Sequence, residues 1–223
     1  MALDEGADGV ELDVRDAADG TVVVSHDPTL ERVAKDPTVV ASASFARLAE
    51  IDLGGGERVP KLDDAIDLVR GRGRLLNVEV KGDVPDRLRL CRAVARVLAR
   101  RSPGDRSGIL ISSFRPEMLA ALRFAGAGVP LAFLFDAENT GWLRARVLAR
   151  VFRPDGMHPQ RTLATEPRIA HWHARGCFVG AWTVDAPDEA RSLAKAGIDA
   201  LITNDPRGIV AALATDPAKT GPA

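Results

Sequence analysis

The sequence contains little cysteine, few aromatic residues and no excess of charge of either sign. Its 223 residues include two cysteines, no tyrosine and 4% aromatic residues. Cys91 and Cys177 lie far apart and without the spacing of metal ligands, which excludes a disulfide framework and a cysteine-based zinc site. The chain has 30 basic and 31 acidic side chains, so it lacks the excess of positive charge that binds a nucleic-acid backbone. Nucleic acid is therefore not an expected partner.

Long apolar runs are absent as well. No run reaches the roughly 18 residues that a membrane-spanning helix needs. Residues 1–6 contain neither the basic region nor the apolar region of a signal peptide. We therefore expect a cytoplasmic protein, with the alternative that a signal peptide preceded Met1 and has been lost; the oligomeric state stays open.

The composition is that of a globular protein, with 46% hydrophobic and 27% charged residues. A chain of this length lies near the upper end of what one hydrophobic core organises. No linker rich in proline, glycine or serine divides it. We therefore expect one domain over residues 1–214, followed by a tail over residues 215–223 that is small, polar and contains proline.

Short β-branched runs alternate with segments of helical period, which indicates parallel strands joined through helices. Strands are predicted at 9–14, 22–26, 75–81, 109–114, 131–135, 178–184 and 200–203, with a further short candidate around His158. The clearest helix spans 86–100, where one face carries Leu88, Cys91, Val94, Ala95 and Leu98. Such a chain forms either an open doubly wound sheet or a closed (β/α)₈ barrel.

Two of the predicted strands carry polar side chains on one face. Glu11 and Asp13 share a face of strand 9–14, while Asn77, Glu79 and Lys81 share a face of strand 75–81. A barrel tolerates inward charges at its C-terminal rim, where active sites lie, so we expect the three carboxylates to converge there. Oxygen ligands without cysteine favour Mg²⁺ or Ca²⁺. The alternative is that each acid lies on a solvent-exposed strand face.

His26 is the last residue of the predicted strand 22–26 and is the candidate histidine for catalysis. An imidazole beside a metal can transfer a proton near neutral pH. The alternative is a structural histidine. Lys81 could contact an anionic substrate oxygen or simply pair with the carboxylates, while His171 and His173 flank Trp172 on a helix and are given no role.

Together these segments resemble the glycerophosphodiester phosphodiesterase family over about residues 6–213. The resemblance rests on the order and spacing of segments 6–14, 19–20, 23–32, 48–52, 59–62, 77–81, 113–114, 181–185 and 197–206. It implies a (β/α)₈ TIM-type barrel with a small insertion after the second strand, over residues 28–60.

The resemblance also implies roles for individual residues and a reaction. It implies hydrolysis of a small-molecule glycerophosphodiester to glycerol 3-phosphate and an alcohol, with one divalent cation, Mg²⁺ or Ca²⁺. His26 would be catalytic. The other implied roles are metal ligation by Glu11, Asp13 and Glu79, and substrate contact by Lys81 and Trp182.

The sequence departs from the family pattern at its beginning. Family members start with a strand that carries a His-Arg pair, followed by a Pro-Glu-Asn run, and neither is present here. We therefore expect a barrel without its first βα unit, with two exposed strand edges. Since the missing histidine is one of two that act as general acid and base, activity is expected to be impaired. The working hypothesis is a misplaced start codon or a truncated chain.

Smaller departures and two other functions complete the expectations. Asp185 stands where the family usually has Asn, Asn204 where it usually has Asp, and Lys61 where it often has Thr. One alternative function is a non-catalytic remnant that binds phosphodiesters or a protein partner. Another is a related phospholipase D-like activity on lysophospholipid or sphingomyelin.

Overall fold

The computed structural model describes residues 2–138 and 153–214 of the chain, so the predicted tail over residues 215–223 lies outside the described residues. In the described part, eight strands form one sheet: β1 (Gly9–Asp16), β2 (Val22–Val24), β3 (Leu75–Val80), β4 (Ile109–Ser113), β5 (Leu131–Phe135), β6 (Gly156–Pro159), β7 (Phe178–Ala181) and β8 (Ala200–Leu201). All seven predicted strands are present, and the short candidate around His158 is β6.

The strand order β2-β1-β3-β4-β5-β6-β7-β8 identifies the architecture. Strand β2 pairs antiparallel with β1, and every other pair is parallel. The seven parallel strands follow each other in chain order, as in the wall of a TIM-type barrel. Among the described residues no pairing joins β8 to β1, so the wall is open there. The expectation of an α/β barrel short of one strand is confirmed.

Helices connect the parallel strands. The described residues contain nine: α1 (Glu31–Ala34), α2 (Phe45–Leu48), α3 (Leu62–Gly71), α4 (Arg87–Ala99), α5 (Pro103–Arg106), α6 (Pro116–Phe124), α7 (Glu166–His173), α8 (Pro187–Lys195) and α9 (Pro206–Ala214). Single 3₁₀ turns occupy Ala2–Glu5, Val40–Ser42 and Arg161–Leu163. Within residues 2–138 and 153–214, no helix has the length and apolar character required to span a bilayer.

Helix α4 matches the predicted segment, with one correction. Asp86 caps its first turn, because its side chain accepts a hydrogen bond from the Arg89 amide at 2.9 Å. Leu88, predicted to face the core, is 55% exposed, whereas Leu90 and Val97 are buried. The core-facing stripe is wider than predicted and starts at Leu90, two residues further along the helix, so Leu88 points to solvent.

Residues 28–60 fold onto the β1–β2 hairpin, where the sequence predicts an insertion. The segment contains α1, α2 and the 3₁₀ turn between them. Val40 and Leu48 are completely buried and pack with Val23 of β2 in a small core of their own. This satellite core holds the hairpin and the segment that follows β2.

The alternation of side chains along β1 and β3 places the acids. Val14 of β1 and Val78 and Val80 of β3 are buried in the core that includes α4. Successive side chains point to opposite faces, so Glu11, Asp13 and Glu79 face the barrel interior. The parallel register sets Glu11 beside Asn77 and Asp13 beside Glu79.

Gly9 permits this register, because the two backbones are close where β1 begins. A Cβ atom on Gly9 would lie 2.7 Å from the carbonyl oxygen of Leu75. We expect Gly9→Ala to lower the free energy of unfolding by about 1–3 kcal/mol, as overpacking does. Urea unfolding followed by circular dichroism measures this.

Gly71→Ala is the matched control, since a Cβ atom at Gly71 would meet no atom within 4 Å. There we expect no loss, or a gain of up to about 1 kcal/mol from the less flexible unfolded chain. Equal losses in the two variants would contradict the close approach of β1 to β3.

Candidate active site

Three carboxylates meet at the C-terminal end of the parallel strands. Glu11 and Asp13 of β1 and Glu79 of β3 each offer an oxygen, and these three oxygens lie within 4.8 Å of one another. All three side chains are partly buried. The structure thus brings together the acids that the strand pattern predicts on a shared face, in a spacing that fits a common cation.

Lys81 follows directly after β3 and reaches back to two of the acids. Its Nζ atom lies 3.0 Å from an oxygen of Asp13 and 2.9 Å from an oxygen of Glu79. Burial lowers the pKa of Lys81, but the neighbouring charges of Glu79 and Asp13 outweigh burial and hold it above its ordinary value. The lysine therefore stays charged and neutralises part of the cluster.

Among the described residues Glu11 has no such close cationic partner, and its pKa is strongly raised. Burial, and then the negative charges of Asp13 and Glu79, raise the pKa of Glu11 to about 8, against a smaller opposing effect of Lys81. Burial and Asp13 also raise the pKa of Glu79, while Lys81 and His26 oppose them. Such mutual repulsion is what a bound divalent cation relieves.

His26 lies in the segment after β2, beside this cluster. Its Nδ1 atom is 2.6 Å from Oδ1 of Asp27, and the other oxygen of Asp27 accepts a bond from Arg32 Nε at 2.5 Å. The backbone of the segment is fixed to β1, because the Ser25 amide donates to the Asp13 carbonyl at 3.0 Å. The His26 side chain itself is 60% exposed, so its other ring nitrogen can meet a ligand.

Trp182 follows β7 and lies at the same end of the sheet. Its indole Nε1 donates to the carbonyl oxygen of His158 at 2.8 Å. Its ring meets the edge of Phe114, which follows β4, with a centroid distance of 5.3 Å. The two rings form an apolar element at the mouth of the barrel.

Two departures from the family pattern contact each other. Asn204 donates from Nδ2 to Oδ2 of Asp185 at 3.0 Å, and its backbone amide donates to Oδ1 of Asp185 at 2.8 Å. Because one residue supplies the amide and the other the carboxylate, exchanging Asn and Asp between the two positions can preserve the side-chain pair. The two positions at which the sequence departs from the expected pattern are therefore direct hydrogen-bond partners in the structure.

Three polar side chains are buried inside the barrel, and the sequence pattern predicts no role for them. Asn77, Ser112 and His158 are at least nine-tenths buried, and Asn77 Oδ1, Ser112 Oγ and His158 Nδ1 have no partner among the described residues. Ser112 lies beside Glu79 in the strand register. Burial lowers the pKa of His158 to about 4, which keeps that ring neutral.

The remaining histidines lie on the outer helix α7. His173 Nε2 is 2.8 Å from Oδ2 of Asp199, and His171 is exposed. Within the described residues, His26 is therefore the one histidine at the carboxylate cluster.

The pKa of Glu11 predicts a pH-dependent stability of the metal-free protein. Its folded pKa of about 8 exceeds the ordinary value of 4.5. The protonated form therefore stabilises the fold fully below about pH 4.5, and this contribution is lost as pH rises through about 8. We expect Glu11→Gln to raise the free energy of unfolding at pH 9 and to change it little at pH 4.5, measured by urea unfolding in chelator.

Glu57→Gln serves as the control, because Glu57 is exposed and the substitution removes the same charge. It is expected to change stability by less than about 0.5 kcal/mol at either pH. A Glu11→Gln protein with an unchanged pH dependence would argue against a strained carboxylate cluster.

Comparison with known proteins assigns the chain to a family. The Glycerophosphoryl diester phosphodiesterase family matches residues 1–207 of the 223. One relative is a glycerophosphodiester phosphodiesterase of Caldanaerobacter subterraneus subsp. tengcongensis, 25% identical over 216 residues that cover 94% of this chain and 87% of the relative.

Solved structures agree on the fold. The glycerophosphodiester phosphodiesterase of Thermotoga maritima is 27% identical, with a TM-score of 0.75 over 94% of this chain and 87% of its own. An Oleispira antarctica phosphodiesterase, solved in complex with the product sn-glycerol-3-phosphate, is 24% identical, with a TM-score of 0.82 over 95% of this chain and 87% of its own. The open barrel with its acidic mouth thus belongs to the glycerophosphoryl diester phosphodiesterase family of phosphoric diester hydrolases.

Proposed function

We propose that this chain hydrolyses glycerophosphodiesters to glycerol 3-phosphate and an alcohol, with one divalent cation held by Glu11, Asp13 and Glu79. The observation that carries the proposal is the convergence of three carboxylate oxygens within 4.8 Å beside His26 and Lys81, in a member of this family. The Oleispira antarctica relative with bound sn-glycerol-3-phosphate supports the same product.

The donor set fits a hard cation. It consists of carboxylate oxygens, which Mg²⁺ and Ca²⁺ prefer. Repulsion between these carboxylates contributes to the raised pKa of Glu11. The buried polar side chains of Asn77 and Ser112 lie beside Glu11 and Glu79 in the register and can hold water molecules that such a cation retains. When bound, the cation stabilises negative charge on the phosphoryl oxygens.

Lys81 is proposed to bind the substrate phosphate. Its ammonium group has three hydrogen-bond donors, and the contacts to Asp13 and Glu79 use two of them. The third can meet a phosphoryl oxygen next to the carboxylates. Trp182 and Phe114 supply an apolar wall, which suits the carbon skeleton of a glycerol or headgroup.

His26 is proposed to transfer the proton. The contact of Nδ1 with Asp27 favours the tautomer in which Nδ1 carries a proton and Nε2 is free to accept one, as in other carboxylate-oriented imidazoles. A single histidine at the mouth serves one side of the phosphodiester. Since the family pattern uses two, we propose that turnover by this chain is impaired.

A second candidate function follows from the same observation. Among the described residues, His158 is buried in the barrel and His171 and His173 lie on α7, so none of them can supply the second proton transfer at the mouth. A chain with ligands and phosphate contacts but half of its acid–base pair could bind phosphodiesters without turning them over.

The discriminating assay is release of glycerol 3-phosphate from glycerophosphocholine in Mg²⁺ or Ca²⁺, with and without chelator. We expect chelation to abolish release, and His26→Ala to lower kcat by about 10²–10⁴-fold, the usual contribution of a general acid or base. His171→Gln, which changes an exposed histidine on α7, is expected to leave kcat unchanged.

The outcomes separate the candidates. Glycerophosphocholine that binds in the presence of the cation, with no product, would establish the binding function. Absence of both binding and product would contradict the whole proposal. A panel of lysophospholipid and sphingomyelin substrates tests the phospholipase D-like alternative, which gains support if those lipids react faster.

A further inference from the structure

Arg15 is a buried cation that no proposed role accounts for. It lies near the end of β1, two residues after Asp13, and its side chain is 4% exposed. Burying a guanidinium is costly unless its hydrogen bonds are made to suitably placed acceptors. The partners of Arg15 therefore indicate what it is there to hold.

The guanidinium joins two loops that carry the proposed machinery. Nε and Nη2 donate to the carbonyl oxygen of His26 at 3.2 and 2.8 Å. Nη2 also donates to both carboxylate oxygens of Asp83 at 2.9 Å, and Nη1 donates to the Asp83 carbonyl at 3.2 Å. Asp83 lies two residues after Lys81, so one side chain spans the His26 segment and the end of β3.

Asp83 is ionised at neutral pH and forms an ion pair with Arg15. Burial raises the pKa of Asp83, but the hydrogen bonds and charge of Arg15 outweigh burial and hold it below its ordinary value. Hydrogen bonds between ionised partners are about twice as strong as neutral ones. The tie is therefore stronger than the ordinary amide contacts of a surface loop.

His26 needs such a tie because its ring is not held by packing. Its side chain is 60% exposed, and the one hydrogen-bond partner of its ring in the described part of the chain is the adjacent Asp27. Ring position relative to Glu79 therefore depends on the backbone of residues 25–27. That backbone is attached to β1 by the Ser25 amide on the Asp13 carbonyl and by Arg15 on the His26 carbonyl.

We propose that Arg15 is a positioning residue that fixes the His26 imidazole relative to the carboxylate cluster and to Lys81. The inference rests on the proposed role of His26. It adds a specific dependence: the distance between the imidazole and the cation site is set by a guanidinium fork that a lysine cannot reproduce.

Arg15→Lys tests this, because it keeps the charge and removes the fork. Arg89→Lys is the matched control. Arg89 makes a comparable ion pair at the end of β1, from Nε to Asp16 Oδ2 at 2.6 Å, and contacts the Ala17 and Ala18 carbonyls rather than the His26 segment. Asp83→Ala is a second test variant at an exposed side chain, which protects the experiment against misfolding of Arg15→Lys.

The first readout is amide hydrogen exchange of Ser25, His26 and Asp27 in the metal-free protein, which does not depend on catalysis. Loss of charge-assisted bonds to the His26 carbonyl is expected to speed exchange there by about 10-fold or more. We expect this in Arg15→Lys and, to a smaller degree, in Asp83→Ala. Arg89→Lys is expected to exchange like the wild type.

The second readout is the imidazole signal of His26 in proton NMR, assigned with His26→Gln, during titration with Mn²⁺. Paramagnetic broadening depends steeply on distance, so it reports how far the ring lies from the bound ion. We expect strong broadening in the wild type and in Arg89→Lys. In Arg15→Lys, the same Mn²⁺ occupancy is expected to broaden the signal less.

The outcomes distinguish this inference from the proposed function. Unchanged exchange and unchanged broadening in folded Arg15→Lys and Asp83→Ala proteins would overturn the positioning role while leaving the cation site intact. A wild type that does not bind Mn²⁺ would contradict the proposed function, and the exchange data would still decide whether Arg15 holds the His26 segment.

Discussion

The repulsion among three carboxylates in one partly buried mouth is the constraint on which the rest of the site depends. Oxygens of Glu11, Asp13 and Glu79 lie within 4.8 Å of one another, and partial burial strengthens the electrostatic repulsion between the carboxylates. Lys81 compensates for two of them. The cluster therefore keeps a net negative charge, which favours binding of a cation. When no cation is bound, the repulsion lowers the stability of the folded protein.

The fold maintains this arrangement through elements that carry no charge. Valines of β1 and β3 pack against α4, and their alternation forces the intervening acids inward. Gly9 allows the two strands to come close, and the satellite core around Val40 and Leu48 holds the hairpin from which His26 follows. The valines that hold β1 and β3 against the core thus lie on the face opposite the carboxylates.

Much of this organisation can be predicted from the sequence, because it depends on period-two patterns within single strands. The acids of β1 and β3 are such a case: each pair of positions is local, and parallel pairing brings the strands together.

Contacts between residues far apart in the chain cannot be predicted in this way. The link from Arg15 to Asp83 spans 68 positions, and neither residue stands out in its own segment. The hydrogen bond between Asn204 and Asp185, 19 positions apart, is likewise visible only in the structure. The prediction for Leu88 is wrong because this residue lies in the first turn of α4, before the buried face of the helix begins at Leu90.

The central claim is that the three carboxylates form one cation site, and anomalous scattering from crystals soaked in Mn²⁺ tests it most directly. The account predicts a single strong peak at coordination distance from oxygens of Glu11, Asp13 and Glu79. A peak at another location, or none at this cluster with the three side chains ordered, would contradict it.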